Sequence, residues 1–168
     1  SGNVYVAGYT SGSLTGSNAG SFDVFLIKYN SSGTKQWTKQ LGTSGVDWAF
    51  AVVVDSNDDI IVQGMTSGNL DGKTGIGGGD IFLVKYNSSG TKQWSKLYGT
   101  SSQDMTFGGL SVDGSNNIYF SGFRSGWTGF LVKTNSTGTE QWTKTFSTTS
   151  NDNGNTNVAA DSSGNVYI

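Results

Sequence analysis

The chain has no histidine and no cysteine among its 168 residues. That removes thiol nucleophiles, disulfides, Cys/His zinc sites and imidazole acid–base pairs together. Carboxylates, amides, hydroxyls and aromatic rings remain. The aspartates recur in phase: Asp23 and Asp80 at one position of a repeat, Asp47, Asp104 and Asp152 at another. Two carboxylates facing a common mouth could protonate and displace a glycosidic oxygen. Several together could hold calcium, which takes six to eight oxygen ligands. The pattern argues against both uses, because residues that recur at one phase serve the repeat itself. No dense D-x-D-x-D-G loop and no nucleophile elbow is present. The expectation is no catalytic residue, no metal and no cofactor.

Two further recurrences have a chemical and a structural reading. Trp37, Trp94 and Trp142 lie near lysines and could form a stacking platform for sugars or bases. Recurrence in every unit favours instead packing of each indole against a neighbouring unit, with lysine stems lying over it. Asn30, Asn87 and Asn135 each open an N-S-[ST] sequon, yet the same residues fit a plain hairpin turn.

The elements that position these residues follow from the repeat. Residues 28–37 and 85–94 both read KYNSSGTKQW, and residues 133–142 read KTNSTGTEQW. A second marker runs SGNVYV from Ser1, VDSNDDIIVQG from Val54, VDGSNNIYFSG from Val112 and DSSGNVYI from Asp161. Aligned on Asn3, Asp59, Asn117 and Asn165, the units are 56, 58 and 48 residues apart. Each unit carries four short runs of β-branched and aromatic residues bounded by Gly/Ser/Asn/Asp clusters. In the second unit these are Ile60–Gly64, Ile81–Tyr86, Thr91–Leu97 and Phe107–Val112. No segment has the Ala/Leu/Glu/Lys richness of a helix.

Four antiparallel strands per unit of about 50 residues is the blade of a β-propeller. The predicted fold is therefore all-β: about three four-stranded antiparallel blades, forming a segment of a larger propeller. The repeats span 1–55, 56–113 and 114–161, with a further blade starting at 162–168. The run before each D-x-x-[GND]-[ND] turn is predicted innermost and the Trp-bearing run outermost. Because residues 163–167 repeat the pattern of 1–5, the ends duplicate rather than complement each other. A window on a longer array is the expectation, with a ring of about six blades made by two copies as the alternative.

The motif D-x-x-G-N-V-Y-V-x-G-x-T, then D-x-F-x-x-K, then G-x-x-x-W, resembles the bacterial seven-bladed beta-propeller repeat. It is carried here by Asp161–Tyr167, Ser1–Thr10, Asp23–Lys28 and Gly33–Trp37. The resemblance implies a large extracellular or cell-surface bacterial protein and specifies no activity. In the third unit Thr134 stands where Tyr29 and Tyr86 stand.

Variation locates the candidate site. The loop after the first run of each unit spans Ser11–Phe22, Ser67–Gly79 and only Ser125–Thr128, and the loop before the inner run changes from GTSGVDW to GTSSQDM to STTSNDN. Both loop types open on one face, and binding residues concentrate on variable loops carried by a rigid scaffold. Trp48, Met105, Arg124 and Trp127 are the unrepeated large side chains there and are the candidate ligand-binding residues. The expected partners are neighbouring blades of the same chain or another copy, and a protein or glycan ligand. A net charge of −2 with scattered cations speaks against nucleic acid. No apolar run approaches the ~18 residues of a membrane helix. The functional expectation is a non-catalytic structural or binding module, for adhesion or scaffolding. The alternative is part of a carbohydrate-active propeller enzyme whose catalytic residues lie outside this segment.

Overall fold

The protein's structure, a computed structural model, describes residues 2–124, 128–147 and 157–168. It is an all-β propeller segment. The first sheet holds β1 (Val4–Thr10), β2 (Asp23–Tyr29) and β3 (Lys35–Leu41). The second runs β4 (Asp47–Val54), β5 (Ile60–Thr66), β6 (Asp80–Tyr86) and β7 (Lys92–Tyr98). The third has its innermost strand in two pieces, β8 (Asp104–Met105) and β9 (Leu110–Val112). Both pieces pair with β10 (Ile118–Arg124), which is followed by β11 (Thr128–Thr134) and β12 (Glu140–Ser147). A last pair, β13 (Ala159–Ala160) and β14 (Val166–Tyr167), repeats the β4–β5 connection. Every ladder between these strands is antiparallel.

The structure differs from the sequence expectation in detail. The first sheet has three strands, not four. The run expected at Phe107–Val112 starts earlier, at Asp104, and is broken over residues 106–109. Thr128 begins β11, so the third variable loop is one residue shorter than read. A single 3-10 turn at Leu70–Gly72 interrupts the second variable loop.

The tight turns explain the identical residues. Asn30 Oδ1 accepts from the backbone N–H of Ser32 and Thr34 and from the Ser32 hydroxyl. Asn87 and Asn135 do the same in their turns. The Oδ1 atoms of Asp55, Asp113 and Asp161 likewise each bind the N–H groups two and four residues on. Such Asx turns let one side chain satisfy the donors a reversal would otherwise strand. Glycine in the second strand has a separate purpose. Gly8, Gly64 and Gly122 lie opposite Phe25, Phe82 and Phe130 in register. A Cβ at each would meet that phenyl ring at 2.8, 2.5 and 2.8 Å. The missing side chain is the seat of the ring.

The sheets pack face to face through two clusters. Val24 and Leu26 of the first sheet meet Val62, Phe82 and Val84 of the second. Ile61, Ile81 and Leu83 of the second meet Leu110, Phe120, Phe130 and Val132 of the third. At the outer edge, the turns at Asn87 and Asn135 sit on the tryptophan of the preceding sheet. Gly90 abuts the Trp37 ring and Gly138 the Trp94 ring, and Tyr98 donates to the Gly138 carbonyl at 2.7 Å. Trp37 and Trp94 therefore pack between sheets, and Trp142 meets Tyr119 of its own sheet. The recurrent lysine is held too: buried Lys85 bridges Asp55 at 2.8 Å and Asp59 at 3.1 Å. Burial alone would lower the Lys85 pKa, but the two carboxylates outweigh it and hold it above its ordinary value. Within the core of the second interface Gln63 Nε2 donates to Thr106 Oγ1 at 2.8 Å and to the Ser121 carbonyl at 3.2 Å.

Candidate functional site

Among the described residues the variable loops of the first and second sheets lie together at one end of the sheets, as the phasing requires. They are tied between sheets by backbone bonds: Asp47 N–H to the Phe22 carbonyl at 2.8 Å, Ser21 N–H to Gly45 at 3.0 Å, and Asp104 N–H to Gly79 at 2.9 Å. The phased aspartates organise the loops from within. Asp47 Oδ2 binds the Thr43 N–H and hydroxyl, and Asp104 Oδ2 binds those of Thr100. Asp23 Oδ2 accepts from Ala19 N–H, and Asp80 Oδ2 from Ile76 N–H. All four residues are buried. Among the described residues no three acidic groups come together as a metal site; Asp152 lies outside them.

On this scaffold an aromatic stripe crosses all three sheets. Trp48 packs on Tyr9 and Phe22 with centroids 5.7 and 6.4 Å apart, and on Phe50 at 6.3 Å. Phe50 meets Phe107 edge-on at 6.4 Å, and Phe107 meets Phe123 at 6.2 Å. The inner strands create the stripe by breaking their own register. β4 bulges between Ala49 and Ala51, so Phe50 lies outside the ladder. In the third sheet the run from Asp104 to Asp113 is one residue longer than that from Asp47 to Asp55. There the bulge widens to the gap between β8 and β9, with Gly108 at φ +106°. A bulge re-aims a side chain out of the pleat, and here it aims two phenylalanines at each other. Tyr9 and Phe107 remain 49% and 48% exposed.

The four sequence candidates fare differently. Trp48 is the centre of the stripe, half-buried, and its buried Nε1 meets no acceptor among the described residues. Met105 is half-buried on β8, opposite Phe123. Arg124 is partly committed to its own sheet: its Nε lies 3.4 Å from Asp104 Oδ1 and its guanidinium 4.8 Å from the Phe130 ring centroid. Trp127 lies outside the described residues. Sequence reading missed Tyr9, Phe22, Phe50, Phe107 and Phe123. A signal was available, since Phe50 and Phe107 share one repeat position beside the one-residue length difference.

No protein-family model matches the chain. It is similar to an uncharacterized WD repeat-containing protein of Acanthamoeba polyphaga mimivirus, 28% identical over 123 residues, or 63% of this chain and 9% of that protein. It is also similar to the Regulatory protein FlaEY of Caulobacter vibrioides, 30% identical over 103 residues, or 57% of this chain and 11% of that protein. The chain spans about a tenth of the length of these curated relatives. The WD repeat is a propeller-type repeat of four strands per blade, in agreement with the fold.

Proposed function

We propose that the chain is a non-catalytic binding or scaffold module of an extracellular or cell-surface bacterial protein of the seven-bladed propeller-repeat kind. Its units would be the repeats at 1–55, 56–113 and 114–161 and the start at 162–168. It would contact a protein or glycan through the aromatic stripe of the loop face. The observation that carries this reading is the stripe itself: six rings in contact across three sheets, with two of them half-exposed. Rings held by neighbours lose little rotamer freedom when covered, so side-chain ordering offsets little of the gain from covering them. The similarity to a regulatory protein and a WD repeat protein supports binding rather than chemistry. So does the commitment of the loop-face carboxylates to backbone N–H groups. The test screens the chain against a glycan array and a surface-protein extract, with Tyr9→Ser and Phe107→Ser beside the turn variant Asn87→Ala. Binding lost in the first two and kept in the third supports the reading; the reverse pattern refutes it.

A further inference from the structure

A second surface, away from the stripe, is distinguished by comparing two equivalent places in the repeat. In the second sheet the variable loop folds back so that Leu70 is fully buried in the cluster holding Phe82, Val84 and Leu41. Next to it the Asp71 carboxylate pairs with Lys92. The loop thus lays an aliphatic side chain and then a charged one into the seam between first and second sheets. Asp71 holds φ +53° to do so, an uncommon conformation for a residue with a Cβ.

In the third sheet the equivalents of Phe82, Val84, Lys92 and Ser95 are Phe130, Val132, Glu140 and Thr143. Only three residues separate β10 from β11 there, against thirteen between β5 and β6. The seam between second and third sheets holds a cleft of about 230 Å³, lined by those four residues with Leu97, Tyr98 and Arg124 among others. The charge at its outer end is reversed. Glu140 stands where Lys92 stands, Thr143 donates to it at 2.7 Å, and among the described residues no cation pairs with it. Arg124, the cation at the other end, faces Asp104.

We infer that this cleft is a docking site for an extended peptide segment of a partner protein that presents an aliphatic side chain followed by a lysine or arginine. The seam of the second sheet supplies the template. An aliphatic group there covers the Phe82–Val84 surface and the next residue answers the charge at position 92. The cleft keeps the apolar surface and inverts that charge, so its complement is the same dipeptide step with a cation in place of Asp71. An apolar anchor gives the affinity and the charge at the rim sets the choice of partner.

The test uses the 168-residue chain and two nine-residue peptides with the sequence of residues 67–75, one native and one carrying Asp71→Lys. Amide chemical-shift titration measures both affinities. The lysine peptide is expected to bind about fivefold more tightly than the native one, an exposed ion pair of about 1 kcal/mol, with shifts at Leu97, Val132 and Thr143. Glu140→Lys should reverse the preference, and Glu140→Gln, which keeps the shape, should abolish it. Shifts confined to the cleft with no dependence on residue 140 would overturn the assignment, as would no shifts at all. Binding that appears only in Trp127→Gly would also overturn it, showing the cleft to be a seat for the chain's own short loop.

Discussion

Replacing Gly90 by alanine tests whether the repeated turns clamp one sheet to the next. Gly33 and Gly90 occupy the same turn position, at φ +77° and +80°, so alanine costs each about 1 kcal/mol for entering the left-handed region. Their surroundings differ. A Cβ on Gly33 meets nothing within 4 Å, whereas one on Gly90 lies 3.1 Å from the Trp37 ring and 2.6 Å from Lys39 Cε. The lysine can swing aside. The indole cannot do so freely, because it packs against Tyr5, with centroids 6.0 Å apart, and against the core. Forcing it outward adds about 1–2 kcal/mol of overpacking. Gly33→Ala should therefore cost about 1 kcal/mol and Gly90→Ala about 2–3. In melting temperature these are drops of about 3 and 8 °C for a chain of this size. Thermal and urea denaturation of both variants, alone and with Trp37→Ala, gives the comparison. Removing the indole should relieve Gly90→Ala by about 1 kcal/mol and leave Gly33→Ala unchanged. Equal costs in the two turns, or no coupling to Trp37, would refute the clamp.

Other outcomes follow from the buried polar groups and the stripe. Gln63→Ala removes the link to Thr106 and Ser121 and leaves a cavity, so about 2 kcal/mol should be lost. Gln63→Met, which keeps the volume and removes an Oε1 with no partner among the described residues, should lose less in the same urea titration. The raised Lys85 pKa means that its ion pairs stabilise the fold fully below the unfolded lysine pKa of about 10.4 and fade as pH climbs through the higher folded value. Stability measured against pH should fall more steeply above pH 10 in the wild type than in Lys85→Met. Phe107→Ser, at a half-exposed ring, should shift the melting temperature by no more than about 3 °C, so a lost interaction in that variant reports on binding.

Most of the scaffold was legible because it repeats. The KYNSSGTKQW identity marked turn and outer strand together, and the turn chemistry of Asn30 or Asp55 needs only neighbours within four residues. Gly64 opposite Phe82 is a pair across strands, and the first unit carries the same pair of residue types at Gly8 and Phe25. The stripe was harder to see because it depends on where a strand departs from its ladder. Phe50 reads as one more alternating strand residue until the register skips it, and Phe107 as the start of a strand rather than the tip of a gap. In the sequence Arg124 reads as an unrepeated large side chain of the loop face. In its own sheet, however, it lies between Asp104 and Phe130, and that pairing needs the β8–β10 register to be known. The cleft was invisible in the sequence for a different reason: it exists by contrast with a loop, Leu70–Asp71, that fills the equivalent seam.

Whether ligand contacts fall on the aromatic stripe of the loop face, as proposed, can be read from a chemical-shift map. The ligand recovered from the glycan array or surface extract is titrated into isotopically labelled chain. The largest shifts are expected at the amides and rings of Tyr9, Phe22, Trp48, Phe50 and Phe107. Shifts confined to the turns at residues 30–33, 87–90 and 135–138, with the stripe silent, would contradict the proposal.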